Sequence, residues 1–151
     1  MLGRALLFAL LPALFACAKP RYESKEAVEA LVASSTKGCA LHWEQVKVCL
    51  DVIWSQPPKT NASNEFILTL FQESSQGFKQ AYAPEGTNID VFLWMHSMNH
   101  GSRPVEIVPI SPGVFQIRQI FFIMPGDWDI HVRLRSDKTV LDEARLKLVL
   151  R

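Results

Sequence analysis

The chain has 151 residues, of which 48% are hydrophobic and 21% charged, and its formal charge is +1. That length holds one domain and no second of ordinary size, and the composition excludes a disordered chain. No apolar run exceeds about 15 residues, which excludes a polytopic membrane protein. Arg4 is the only charged residue before Cys17. Without it the basic and acidic residues balance, so the mature chain offers no electrostatic footprint for nucleic acid.

Residues 1–16 read MLGRALLFALLPALFA, one positive charge followed by an apolar run. At about 12 residues the run is too short to span a bilayer, and it reads as a signal peptide outside the fold. Leu14-Phe15-Ala16-Cys17 resembles a bacterial lipoprotein processing box. The resemblance implies that Cys17 becomes the first mature residue and carries lipid, palmitate included, so that the membrane is a partner. Ala18 behind it resembles an outer-membrane sorting signal. The expected location is the cell envelope, on the periplasmic side, with the outer membrane favoured in a Gram-negative source. Ala16-x-Ala18 also fits an ordinary signal-peptidase site that releases a soluble product. Both routes export the chain.

Export leaves Cys39 and Cys49 as an even pair in an oxidising compartment. Their spacing is not that of a CxxC redox motif, and we read them as a disulfide, a structural staple of about 2–4 kcal/mol. Two separate buried thiols are the alternative.

Residues 17–41 are charged, small and poor in aromatics, which reads as a tether. Val28, Leu31 and Val32 have helical spacing there, with Ser24 placed to cap a short helix and Gly38 to end it. From residue 42 to 151 the pattern is that of strands. Val46, Val48, Leu50, Val52 and Trp54 alternate with mostly polar residues, the two-residue period of a half-buried strand over 43–54. Further strands are expected over 65–72, 89–95, 105–109, 114–124, 129–135 and 139–150, separated by Pro, Gly, Ser and Asp turn clusters. The expected fold is all-β, a single antiparallel immunoglobulin-like β-sandwich of about seven strands. Trp43, Trp54, Trp94 and Trp128 fall in or beside these strands and are expected to fill the core between sheets. His42 and His131 read as solvated strand residues.

One stretch departs from ordinary sandwich composition: Trp94-Met95-His96-Ser97-Met98-Asn99-His100-Gly101-Ser102. Thioether sulfur is a soft donor and imidazole an intermediate one; together they suit Cu(I), while a histidine-rich subset suits Cu(II). Asn99, Gly101 and Ser102 favour an exposed loop. If each strand connection reverses direction, Met124 arrives at the same end of the sandwich. Met95, His96, Met98, His100 and Met124 are therefore the candidate copper ligands, with Cu(I) favoured. Against this stands core packing, since Met95 and Met124 each close an apolar run.

This stretch, with Gly113-Val114-Phe115 and Phe122-Ile123-Met124-Pro125-Gly126-Asp127-Trp128-Asp129, resembles the FixH/YtkA-like family. The family pattern is a Met-x-x-Met-x-His-Gly loop, a Gly-aromatic strand and a Met-x-Gly-x-Trp hairpin. Met95, Met98, His100 and Met124 match it, whereas His96 stands where many members have proline and Asn99 where many have glycine. The likeness is specific from about Ile89 to Asp129 and covers residues 43–150 in strand layout. It implies an exported immunoglobulin-like domain with a part in copper handling or respiratory oxidase assembly, hence a protein partner that receives copper.

Enzyme chemistry finds no support: there is no Gly-x-Ser-x-Gly elbow, no His-Glu-x-x-His and no phosphate loop. No catalytic residues and no small-molecule substrate are expected. A metal-free interaction module tethered at the envelope is the alternative function.

Overall fold

The computed structural model describes residue 39 and residues 41–73, 79–81 and 84–151. The expected leader, the Cys17 lipid site and the tether helix lie outside these residues. Among the described residues no helix is long and apolar enough to cross a membrane.

Among the described residues ten strands run in chain order: β1 (Leu41–Trp43), β2 (Val48–Trp54), β3 (Ser63–Glu73), β4 (Lys79–Ala81), β5 (Asn88–Met95), β6 (His100–Gly101), β7 (Glu106–Ser111), β8 (Val114–Phe121), β9 (Gly126–Ser136) and β10 (Thr139–Leu150). One sheet has the order β1-β2-β3-β8-β7, with β4 also paired to β3; the other has the order β10-β9-β5-β6. Every strand pairing is antiparallel. The architecture is the expected antiparallel sandwich.

Alternation explains which faces meet. In β9, Trp128, Ile130, Val132 and Leu134 are fully buried, and Val91, Leu93 and Met95 of β5 join them in one core with Leu50, Phe66 and Leu68 from the facing sheet. Trp43 adds a polar tie: its indole N–H donates to the Val132 carbonyl across the sandwich at 2.9 Å. The two remaining tryptophans of the expected core differ. Trp54 is partly buried, edge-on to Phe66 at 5.0 Å. Trp94 lies between Leu93 and Met95, which both face inward, so the strand's period turns it to the outer face.

The stretch 43–54 is not one strand but a hairpin. Lys47 has a φ of 54°, and the Asp142 carboxylate accepts the backbone N–H groups of Gln45 at 2.6 Å and Val46 at 3.3 Å. That cap satisfies the turn's donors, and no local periodicity announces it. Cys39 and Cys49 are joined as a disulfide with Cα atoms 5.3 Å apart, tying the start of the body to β2.

Candidate metal centre

The expected ligands lie at one end of the sandwich, where β5 stops and β9 begins. Met95 and His100 are Cα partners, as are Trp94 and Gly101, so β5 and β6 form a short hairpin around a 3-10 turn, His96–Met98. Asn99 closes the turn in the left-handed conformation at φ 52°, which asparagine tolerates better than most residues, and its N–H donates to the His96 carbonyl at 3.2 Å. Beyond it, the Ser102 hydroxyl donates to the Phe121 carbonyl at 2.6 Å and pins the hairpin to β8.

Met95 is 1% exposed, packed in the core. Its terminal methyl lies 3.0 Å from where a Cβ on Gly126 would stand, so the glycine both takes a φ of 137° and leaves room for the thioether. Met124 is partly buried against the same core, its carbonyl accepting the Trp128 indole N–H at 3.1 Å. His100 is half-buried, its ring 6.3 Å from that of Trp128 and its Nδ1 3.0 Å from the Gly101 carbonyl. Met98 is 55% exposed. The two turns therefore do share one end of the sandwich.

His96 goes elsewhere. Its Nε2 lies 2.9 Å from Oδ2 of Asp129, which neighbours the inward-facing Trp128 and therefore points to the outer face. His96 and His100 thus engage opposite faces of one sheet. His96 is turned away from the face that carries Met95 and the ring of His100.

What the outer face brings together is a different set. His96, Asp129 and His131 each offer one ligand atom, and these atoms all lie within 4.8 Å of one another. This group could hold a metal ion. Asp129 and His131 are two residues apart on β9 and so share a face; the 3-10 turn folds His96 down onto them. His131 is buried, 6% exposed, and not the solvated strand residue its position in a polar alternation implies. Its ring stacks on Phe92 of β5, centroids 4.4 Å apart and planes within 11°, which shields it from water.

Glu143 of β10 completes the surroundings. Its carboxylate accepts hydrogen bonds from His131 Nδ1 at 3.0 Å, Arg145 Nε at 2.8 Å and Arg133 Nε at 2.5 Å. Burial pushes the Glu143 carboxyl up, but the hydrogen bonds from Arg133, His131 and Arg145 outweigh it and lower the pKa from 4.5 to about 2. The Arg133 guanidinium also lies 4.3 Å from the centre of the Phe92 ring, on the strand that carries the stack. A carboxylate can only accept, so Nδ1 of His131 carries a proton. The other nitrogen, Nε2, is buried with no hydrogen-bond partner. Buried polar atoms are seldom left so, and a bare imidazole nitrogen is a common ligand of metal ions.

Asp129, His131 and Glu143 were not among the sequence candidates. The signal present in the chain was Asp129-x-His131 at strand spacing, opposite Trp94 and Phe92 at the end of β5. Comparison with family models, with curated proteins and with solved structures found no match for this chain.

Proposed function

We propose that this chain is an exported, lipid-anchored and non-enzymatic β-sandwich that binds copper reversibly at one end of its body. The observation that carries the reading is the convergence of His96, Asp129 and His131, with His131 Nε2 buried and unpartnered. Two imidazoles and a carboxylate on a partly open surface suit an exchangeable copper ion. The leader over residues 1–16, with Cys17 directly behind it, supports export and lipid anchoring. The likeness of Ile89–Asp129 to the FixH/YtkA-like pattern supports the narrower role, copper handling on behalf of a protein partner during respiratory oxidase assembly.

The test is equilibrium dialysis of the full chain against copper sulfate, with bound metal counted against protein. One retained copper per chain is expected, falling at least tenfold in affinity in His131→Ala. A wild-type chain that retains none overturns the reading. In that event the exposed Met98 and Ile123, at 55% and 47% exposure, favour the second reading, a metal-free docking module. Recovery of one partner by crosslinking through that end would establish it.

A further inference from the structure

Glu143 sits on β10, a strand that supplies no member of the His96, Asp129 and His131 group, yet it fixes what that group can offer. A neutral imidazole carries one proton. With that proton directed from Nδ1 to the Glu143 carboxylate at 3.0 Å, the lone pair is left on Nε2, the buried atom without a partner. The ring plane is set separately by the stack on Phe92, 4.4 Å away and 11° from parallel. Arg133 and Arg145 in turn hold the carboxylate in place. The sequence of supports is therefore arginine to carboxylate to imidazole, ending in one lone pair on Nε2. Outer carboxylates that fix a histidine tautomer and raise its basicity are a general feature of metal sites.

The donors themselves select the ion. The three donors are two imidazole nitrogens and a carboxylate oxygen; of the thioethers in the same hairpin, Met95 is sealed in the core at 1% exposure and Met98 stands out from the turn at 55%. A carboxylate oxygen with imidazole nitrogens suits a borderline divalent cation, whereas Cu(I) is held by thiolate and thioether. Metal–nitrogen bonds of about 2.0 Å put neighbouring donors roughly 3 Å apart, so the group must close inward to hold an ion. His96 is the member free to do so. Its side chain is 64% exposed, and it lies on a 3-10 turn that buries no residue. In the metal-free protein its Nε2–H donates to Asp129 at 2.9 Å, so an ion can bind Nε2 only as that proton passes to water and the exposed Nδ1 takes one up, which leaves the imidazole neutral.

Resting on the metal-binding reading above, we propose that this group takes divalent copper in preference to Cu(I), and that Glu143 is the positioning residue presenting His131 Nε2 to the ion. Divalent copper stands above zinc in the general affinity order, so zinc binds the same group more weakly.

The experiment uses the full chain in detergent with three probes: copper sulfate, zinc sulfate, and Cu(I) in competition with a chromophoric chelator. The wild type, Glu143→Ala and His131→Ala are compared. Glu143→Ala is expected to weaken copper sulfate binding about 10–100-fold, with Cu(I) competition unchanged in both variants. Long-range nitrogen–proton NMR of the metal-free wild type is expected to show His131 protonated at Nδ1, and that assignment is expected to be lost in Glu143→Ala. The NMR result stands even where a variant fails to fold, because the wild type alone decides it: an Nε2–H tautomer overturns the proposal. So does undiminished copper sulfate affinity in a folded Glu143→Ala chain, or a Cu(I) affinity that falls with His131. A wild type that binds neither ion overturns the metal-binding reading itself, which is a separate outcome.

Discussion

The two faces of the sheet at the end of β5 and β9 carry donors of different character. On the inner side stand Met95 and His100, the first sealed in the core and the second edge-on to Trp128. On the outer side stand His96, Asp129 and His131, with Glu143 behind them. Neighbours in sequence are divided between these faces because a strand sends successive side chains to opposite sides. Closeness along the chain therefore misleads here. Met95 and His96 are adjacent, yet one belongs to the packing of the core and the other to a polar group that water reaches.

This division can be broken at its inner side first. Met95→Ala removes a fully buried side chain from between the sheets and should cost about 2–5 kcal/mol. If Met95 is packing and not a ligand, urea denaturation will show that loss while copper sulfate affinity of the folded variant stays at the wild-type value. A large fall in affinity at unchanged stability would move the ligand set to the inner face.

A smaller effect is expected where the hairpin closes on itself. A Cβ on Gly101 would meet the Leu93 carbonyl oxygen at 2.8 Å, a backbone contact that cannot swing away. Gly101→Ala should lower stability by about 1–3 kcal/mol. Because it disturbs the seat of the 3-10 turn, it should also weaken metal binding through His96, which joins the two faces in one measurement.

The outer face is best sharpened with acid. Glu143 has its pKa lowered from 4.5 to about 2 in the folded chain, so its contribution to stability is present above about pH 4.5 and is lost as pH falls through about 2. In metal-free protein, the stability difference between wild type and Glu143→Gln should therefore shrink across that window. The side chains of Arg145 and Arg133 are 56% and 31% exposed, and screening by water limits the effect to the order of 1 kcal/mol. A difference that grows on acidification would contradict the hydrogen-bond assignment at Glu143.

Much of the body was legible in the chain because its strands alternate cleanly. Ile130, Val132 and Leu134 against His131, Arg133 and Arg135 define β9, and Ala144, Leu146 and Leu148 define β10 on the same principle. Where the reading departed, a distant residue had intervened. The break between β1 and β2 depends on Asp142, whose carboxylate reaches Gln45 from the far end of the chain. Very short strands such as β6, His100–Gly101, have no periodicity to display. The candidate site was half legible. Asp129 and His131 sit at strand spacing in plain view, but their value rests on Phe92 and Glu143, contributed by two other strands. His96 enters only because a 3-10 turn reverses its direction, and such turns leave little trace in residue type.

The disulfide acquires a mechanical meaning in this setting. Cys39 is fastened to Cys49 near the start of β2, while Trp54 closes the same strand beside Phe122 at the donor end, about 17 Å further along. Cys49 belongs to the sheet that supplies none of the three donors, so under the proposed lipid anchoring a load would enter the body through that sheet. A pull from a membrane would then be met first by the disulfide on that sheet. The corner where His96, Asp129 and His131 gather, on the other sheet, would be spared that load.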